Sequence, residues 1–537
     1  MGNTHEVERK FDVDRTFVLP ALTRVPGVSS VSGVEERHLD AVYYDTDDLR
    51  LARNRLTLRR REGGHDQGWH LKLPAGDGER DEIQRPPGEP GTIPDEFLDL
   101  LAAHLRGRAL RPVAQLSTIR RARLLRDADG TDLIEIADDI VKARTMGAAT
   151  VVTTWREVEL EAVGDAGAAV LPAAGRALRT AGARPSRAPS KLVRALAADS
   201  GLSGVDLSGA DLPGLSGADR PDGAPSGTRP TGAHPTGAHP TGSGSAGEVI
   251  HRYLAEQAAR LLTEDPRVRL DAPEAVHDMR VAARRLRSTV QTFRPLFDPE
   301  RAERIRVGLT ELGEVLGVPR DAEVQLARFR QALDAQPPQD VLGPVRARTE
   351  QALVGERLRG LEAAHAYLRG ERYLMLVGEL LDFVADAGQT PPARRPASKV
   401  LPRLVHRADR RLTRRVDRAG RAPAGQPRDT AHHEARKAAK RLRYACEAVT
   451  PVHGSDAARL GARAKYAQTL LGEHQDCVVA RQRLREWAVA ANLAGESSYT
   501  YGLLTGQEKA RAERTLAEFT ARWPKLARGR YRRWLRG

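Results

Sequence analysis

Cysteine is almost missing from this 537-residue chain, which holds only Cys446 and Cys477. Two cysteines build no disulfide framework and lack metal-ligand spacing, so the composition suits a reducing cytoplasm. Aromatic residues make up 4% of the chain, which leaves little material for a surface that stacks nucleic-acid bases. No uninterrupted apolar run reaches the length a membrane-spanning helix needs. The opening MGNTHEVERK carries charge where an export signal needs an apolar core, so no export is expected.

Charge is abundant and unevenly placed. The net formal charge is −1 over residues 1–200, −2 over 201–245 and +18 over 246–537. So basic a segment attracts an anionic partner, whether nucleic acid, a membrane surface or inorganic phosphate chains. The length exceeds what one hydrophobic core supports, so two or more domains are expected.

Residues 201–245 are rich in Gly, Pro, Ser, Asp and Thr and contain Pro230-Thr-Gly-Ala-His234-Pro-Thr-Gly-Ala-His239-Pro-Thr-Gly. Nothing there can bury a core, and the segment reads as a flexible linker whose histidines are plain low complexity. Before it, segments at 5–13, 38–44, 55–61, 68–73, 118–125, 132–136 and 151–163 alternate with period two, as antiparallel strands do. Helical pattern shows around 95–106 and 166–181. After the linker, Ala/Leu/Arg-rich segments with helical periodicity take over, and the second half reads as all-α.

Within the first 200 residues, Glu6, Glu8 and Lys10 share one strand face, as do Glu157, Glu159 and Glu161. Basic pairs alternate in the same way: Arg59 with Arg61, and Arg121 with Arg123, with Lys72 on a strand of its own. A closed barrel carrying both sets inside would crowd like charges together unless something bound between them. Carboxylates supply hard oxygen ligands for Mg²⁺ or Mn²⁺, while Lys and Arg neutralise phosphate oxygens. A triphosphate-metal complex meets both demands.

Residues 1–200 resemble a CYTH domain, of the triphosphate tunnel metalloenzyme family. The resemblance rests on Glu6-Val-Glu8-Arg-Lys10, Tyr43-Tyr44-Asp45-Thr46, Leu58-Arg59-Arg60-Arg61, Trp69-His-Leu-Lys72-Leu-Pro74, Arg121-Ala-Arg123, Glu157-Val-Glu159-Leu-Glu161 and Ser190-Lys191. It implies an eight-stranded antiparallel β tunnel, open at both ends, with accompanying helices. It also implies that Glu6, Glu8, Glu159 and Glu161 hold the metal, supported by Glu157, while Lys10, Arg59, Arg61, Lys72, Arg121, Arg123 and Lys191 contact phosphates. Lys10 would act near the attacking water. Glu135 and Asp138 join the acidic set if 133–139 is a strand, whereas a turn there would put Asp138 and Asp139 in solvent. The implied activity is metal-dependent hydrolysis of inorganic triphosphate or a related triphosphate. Adenylyl cyclases and thiamine triphosphatases belong to the same family and are the alternatives.

The second half repeats itself. His277-Asp-Met-Arg280-Val-Ala-Ala-Arg284-Arg285-Leu-Arg287 aligns with His433-Glu-Ala-Arg436-Lys-Ala-Ala-Lys440-Arg441-Leu-Arg443 at an offset of 156. Leu316-Gly-Val-Pro-Arg-Asp321 aligns with Leu471-Gly-Glu-His-Gln-Asp476 at 155. On a helix His277, Arg280, Arg284 and Arg287 fall within an arc of about 80°, as do His433, Arg436, Lys440 and Arg443. Arg285 and Arg441 flank the two stripes. Residues 246–537 resemble a CHAD domain, the conserved-histidine α-helical module. That resemblance implies two duplicated four-helix bundles whose basic helices face a groove for inorganic polyphosphate. Asp321 and Asp476, in segments that match imperfectly because Gln475 stands where the first repeat has Arg320, read as structural. Other bases, among them Arg403, His406, Arg410, Arg414, Lys465 and Arg483, would widen that surface.

The domains expected are therefore a tunnel domain over 1–200, a linker over 201–245 and a helical domain over 246–537. The partners expected are inorganic triphosphate and polyphosphate, with no membrane, and low aromatic content argues against nucleic acid. The location expected is the cytoplasm, with docking on polyphosphate granules. A non-catalytic polyphosphate-binding scaffold is the alternative from a different class.

Overall fold

The computed structural model describes residues 3–76, 79–89, 91–147, 150–198, 244–387 and 390–536. The chain divides into two compact units, with the boundary inside 199–243. The linker expected over 201–245, with His234 and His239, lies outside the described residues except for Gly244 and Ser245.

The first unit is a closed antiparallel barrel. Its strands are β1 (Asn3–Val13), β3 (Glu35–Asp45), β4 (Thr57–Glu62), β5 (Gly68–Gly76), β6 (Glu79–Arg85), β7 (Arg111–Arg126), β8 (Asp132–Thr145) and β9 (Val152–Ala162). Their order is β1-β6-β5-β4-β3-β7-β8-β9, and β9 pairs back onto β1. Two short strands extend the sheet: β2 (Ser30–Val31) on β7 and β10 (Arg184–Pro185) on β1. Alternation then sorts every strand into an inward and an outward face. Outward Phe11, Ile134, Ile136, Val158 and Leu160 form a core with Leu171, Ala174 and Leu178 of helix α3 (Gly164–Thr180).

The α3 seat depends on one glycine. A Cβ on Gly167 would lie 1.9 Å from the Leu133 carbonyl oxygen and 3.0 Å from its carbon. Gly167→Ala is therefore expected to lift α3 and lower the stability of this unit by about 1–3 kcal/mol. Thermal unfolding followed by near-ultraviolet circular dichroism would show it, and an unchanged melting temperature would contradict the close approach.

Two short helices, α1 (Arg50–Arg53) and α2 (Asp95–Leu105), connect strands. Asp45, fully buried, accepts backbone N–H bonds from Thr46 (2.7 Å), Leu51 (2.9 Å) and Ala52 (2.9 Å), which fixes the turn into α1. Helix α4 (Lys191–Ala197) is capped by Ser190, whose hydroxyl accepts from the Val193 N–H. Its Leu192, Val193, Ala195 and Leu196 pack on inward-facing Ala41, Tyr43, Ala114, Leu116, Val141 and Ala143. Apolar contact thus fills one end of the barrel, where a tunnel open at both ends was expected.

The second unit is all helical: α5 (Ala246–Arg269), α6 (Ala275–Thr292), α7 (Pro299–Val315), α8 (Gly317–Asp334), α9 (Val345–Arg369), α10 (Glu371–Ala385), α11 (Ala397–Arg421), α12 (Gln426–Leu493) and α13 (Tyr499–Leu526). Ser245 begins it with a capping box, accepting from the Glu248 N–H while the Glu248 carboxylate accepts the Ser245 N–H. Inside α12, Gly454 sits at φ 48°, ψ −132°, and the helix kinks there. The kink makes the duplication visible. Helices α5, α6, α7 with α8, and α9 correspond to α11, the first part of α12, its second part, and α13. No described helix is long and apolar enough to cross a membrane.

Candidate functional site

Inside the barrel lies a cavity of about 280 Å³ lined mainly by ionisable side chains. Strand β1 contributes Glu6, Glu8 and Lys10, and β9 contributes Glu159 and Glu161. Arg59 and Arg61 enter from β4, Lys72 from β5 and Lys191 from α4. The pairing register then decides which charges meet. Glu8 lies opposite Glu161, and Glu161 opposite Glu135 on β8, so three carboxylates form a row across neighbouring strands. Like charges directly opposed on a sheet repel.

Most of the other acids are already matched. Lys10 Nζ lies 3.2 Å from Glu8 and 3.0 Å from Glu159. Lys72 Nζ lies 2.5 Å from Glu6 and 3.7 Å from Glu82. Lys191 Nζ sits among Glu159 (2.7 Å), Glu157 (2.8 Å) and Asp139 (3.0 Å). Those three carboxylates converge closely enough to ligate a metal ion, yet the Lys191 ammonium already serves them. Glu161 differs: among the described residues it has no ion-pair partner. Burial, with Glu8 and Glu159 beside it and Lys72 opposing, pushes its pKa up. Burial also lifts Glu6 to about 8, against the pull of Lys72 and with the help of Glu82 and Glu161. Lys10 shows the reverse balance. Burial works against its charge, but Glu159 and Glu8 outweigh it and hold the pKa above the ordinary lysine value.

Strand register overturns part of the expected set. Arg121 is exposed on the outer face and pairs with Glu36 (3.0 Å), and Arg123 shares that outward parity. Arg120 instead enters the cavity and binds Asp139 (2.7 Å) and Glu159 (3.0 Å). The same shift holds on β8. It runs unbroken through 132–145, so no turn exposes its aspartates. Asp139 faces in and is fully buried, while Asp138 faces out and pairs with Arg156 (2.8 Å). Glu157 is buried beside Lys191 rather than in the cavity lining.

Several lining residues escaped the reading of the sequence: Arg37, Arg80, Glu82 and Arg120. The signal for two was there, in the sequence Arg80-x-Glu82-x-Gln84 between Gly76-Asp-Gly78 and Pro86-Pro87. Glu82 also holds His70 through Nδ1 (2.8 Å), and burial drops that imidazole to about 4.

The second unit holds a larger groove, about 1000 Å³, lined by both repeats. Helix α6 supplies His277, Arg280, Arg284 and Arg287, and α12 supplies His433, Arg436, Lys440 and Arg441. The two Leu-Gly segments explain themselves here. A Cβ on Gly317 would lie 3.3 Å from Arg280 Nη2, and one on Gly472 would lie 3.4 Å from Arg436 Nε. Each glycine leaves room for a guanidinium, and an aspartate one turn later reaches it: Arg280 to Asp321 at 2.7 Å, Arg436 to Asp476 at 3.9 Å. Asp321 and Asp476 line the groove and orient its arginines, which goes beyond a purely structural part.

Arg285 and Arg443 do not line it. Both turn to Glu447, at 3.1 and 2.9 Å, and lie over the Tyr444 ring. Their counterparts Arg441 and Arg287 do face the groove, and the reason is one residue. The position equivalent to Glu447 is Gln291, a neutral partner to Arg441 that does not gather a second arginine. Arg483 lines the groove but is held by Glu356 at 2.6 Å. Packed among so many cations, Lys440 is driven down to about 6, first by burial and then by Arg436, Arg284 and Arg280.

A barrel with opposed acids and bases inside, in one chain with a duplicated helical unit around a cationic groove, defines a two-domain architecture. The chain matches the CYTH domain over residues 4–195 and the CHAD domain over 252–485, and it belongs to the family that carries both in one polypeptide. CYTH domains are found in tunnel metalloenzymes with triphosphatase or cyclase activity. An uncharacterized protein of Mycobacterium tuberculosis strain H37Rv is 37% identical over 534 residues, 97% of this chain and 96% of that protein. Among solved structures, PptA from Streptomyces chartreusis aligns with TM-score 0.44 and 23% identity, covering 52% of this chain and 99% of that one. The CHAD domain from the plant Ricinus communis aligns with TM-score 0.41 and 22% identity, covering 54% and 94%.

Proposed function

We propose that the barrel hydrolyses inorganic triphosphate with Mg²⁺ or Mn²⁺ and that the helical groove binds inorganic polyphosphate. The observation that supports the first most directly is the row Glu8, Glu161 and Glu135, three hard carboxylates with Glu6 near them: Lys10 and Arg80 reach Glu8 and Arg37 reaches Glu135, but Glu161 between them has no ion-pair partner among the described residues. These residues fit a divalent ion. When bound, it would neutralise phosphate oxygens and lower the pKa of a coordinated water.

The protein's own groups do the rest. Arg59, Arg61, Arg120 and Lys72 grip phosphate oxygens, and their forked or compact donors fix the terminal phosphorus for in-line attack. Water forms the new P–O bond as the bridging bond breaks, and charge builds on the departing oxygen. Lys10 and Lys191, held protonated by Glu159 and its neighbours, stabilise that charge as donors. A firmly protonated Lys10 is an electrostatic partner and not a base. Tyr43 is the one aromatic residue among the described lining, which gives an adenine or thiazole ring little to stack on and favours inorganic triphosphate.

For the groove, support comes from six basic side chains contributed in equivalent places by two repeats, His277, Arg280 and Arg284 with His433, Arg436 and Lys440, joined by Arg287 and Arg441. Repeated phosphates match repeated donors. One chain carrying both sites would hold the hydrolase near long polyphosphate, in the cytoplasm or on a granule.

The test is direct. Inorganic triphosphate, ATP, thiamine triphosphate and long polyphosphate are incubated with the protein, with and without Mg²⁺ or Mn²⁺, and phosphate and cyclic AMP are measured. Release of phosphate from inorganic triphosphate, dependent on metal, is expected. No turnover of any substrate would leave the scaffold reading, and cyclic AMP would leave the cyclase.

A further inference from the structure

Arg403, Arg410 and Arg414, expected to widen the groove surface, lie outside the groove lining, on helix α11, which carries a charge pattern that neither site explains. Arg403, Arg407, Arg410, Arg411, Arg414 and Arg418 are all exposed, whereas Leu401, Leu404, Val405, Leu412 and Val416 on its other side are buried. At 100° per residue the six arginines span an arc of about 100°, and they run about 22 Å along the axis. Asp417 is the only acid on that face. The fold does not require this stripe. Aligning His251-Arg252 of α5 with His406-Arg407 puts Glu248, Ala255, Glu256, Ala259 and Thr263 where α11 has Arg403, Arg410, Arg411, Arg414 and Arg418.

The stripe also meets the groove. Arg415 lies 3.9 Å from Glu434, which pairs with Lys437 in the groove lining. Arg441 of the lining feels Arg411 and Arg415: after burial, Arg411 is the largest cause of its fall to about 10. The groove is finite, and an extended polyanion longer than it must leave over some surface. Like-charged arginines held side by side, with no ion-pair partner among the described residues, raise one another's energy, and an adjacent polyanion relieves this.

We propose that the exposed face of α11 is an exit track that holds the part of a polyphosphate chain lying beyond the groove, so that long chains are bound more tightly than short ones. This rests on the polyphosphate reading of the groove. A second contact on the same chain strengthens binding through effective concentration, and only a chain that reaches both surfaces gains from it.

The test uses the full-length protein and the variant Arg403→Gln/Arg407→Gln/Arg410→Gln/Arg414→Gln, whose altered side chains are all exposed. Affinities are measured for chains of about ten and of a few hundred phosphates, and for duplex DNA, across a salt series. The expected result is an unchanged affinity for the short chain, a loss of about tenfold or more for the long one, and a shallower salt dependence for the long chain alone. Equal losses at both lengths, no loss at either, or a loss confined to DNA would each overturn the track. If the unaltered protein binds neither length, the groove reading itself falls; if it binds both and the variant matches it, only the track does.

Discussion

Glu161→Gln is expected to lower metal-dependent triphosphate hydrolysis by about 10²- to 10³-fold while leaving the protein at least as heat-stable as before. The two halves of that outcome come from one arrangement. Glu161 stands between Glu8 and Glu135 on adjacent strands, and burial, Glu8 and Glu159 resist its charge. Neutralising it removes repulsion that costs roughly 0.2–1 kcal/mol per opposed pair, so the melting temperature should hold or rise. The amide, however, is a weaker ligand for a hard cation, and the metal concentration giving half-maximal rate should rise with the fall in turnover. Glu159→Gln is the contrast. That carboxylate faces Lys10, Lys191 and Arg120 at 2.7–3.0 Å. Removing its charge leaves Lys10, Lys191 and Arg120 to share Glu8, Glu157 and Asp139, one carboxylate fewer, at a cost of up to about 3–5 kcal/mol. If Glu161→Gln melts as far down as Glu159→Gln, or keeps full activity at low metal, Glu161 is part of the scaffold and the metal assignment moves elsewhere.

What could be seen before the structure, and what could not, follows from how side-chain direction is encoded. Period two told that Glu6, Glu8 and Lys10 share a face, because the residues between them are Val7 and Arg9 and the acidic spacing is unambiguous. It failed at Arg120-Arg121-Ala122-Arg123 and at Asp138-Asp139, where both parities carry the same charge. There the inward face is set by pairing with β3 and β9 rather than by composition. Glu82 was missed with its whole strand, since polar β6 offers no apolar alternation. In the helical unit the duplicated motif was plain, but equal sequence did not bring equal orientation. Glu447 draws in Arg285 and Arg443, and its counterpart Gln291 leaves Arg441 and Arg287 to the groove. The stripe on α11 was visible as scattered arginines and became a surface only once their exposure was known.

Binding of polyphosphate is expected to weaken as pH rises through neutrality, and Lys440→Arg to remove most of that dependence. The groups facing the Lys440 amine are Arg436 and Asp476 on α12 and Arg280 and Arg284 on α6. With three guanidiniums against one carboxylate, the empty groove depresses the amine to about 6, so at neutral pH it is mainly uncharged. A phosphate chain supplies the missing negative charge and favours the ammonium, so binding takes up a proton wherever pH lies above the free value and below the bound one. Linkage then makes affinity fall by up to tenfold per pH unit in that window, or roughly a hundredfold between about pH 7 and about pH 9. Below about pH 6 the amine is charged in both states and contributes no slope. Burial also pushes the imidazoles of His277 and His433 down, and Lys440→Arg leaves both in place. An arginine at position 440 stays charged throughout, so its profile should be flat between the same limits. Calorimetry in buffers of different ionisation enthalpy reads the proton directly: uptake approaching one per site at about pH 8 for the native chain, and near zero for the variant. Equal uptake by both proteins would show that some other group titrates, and that Lys440 enters the empty groove already charged.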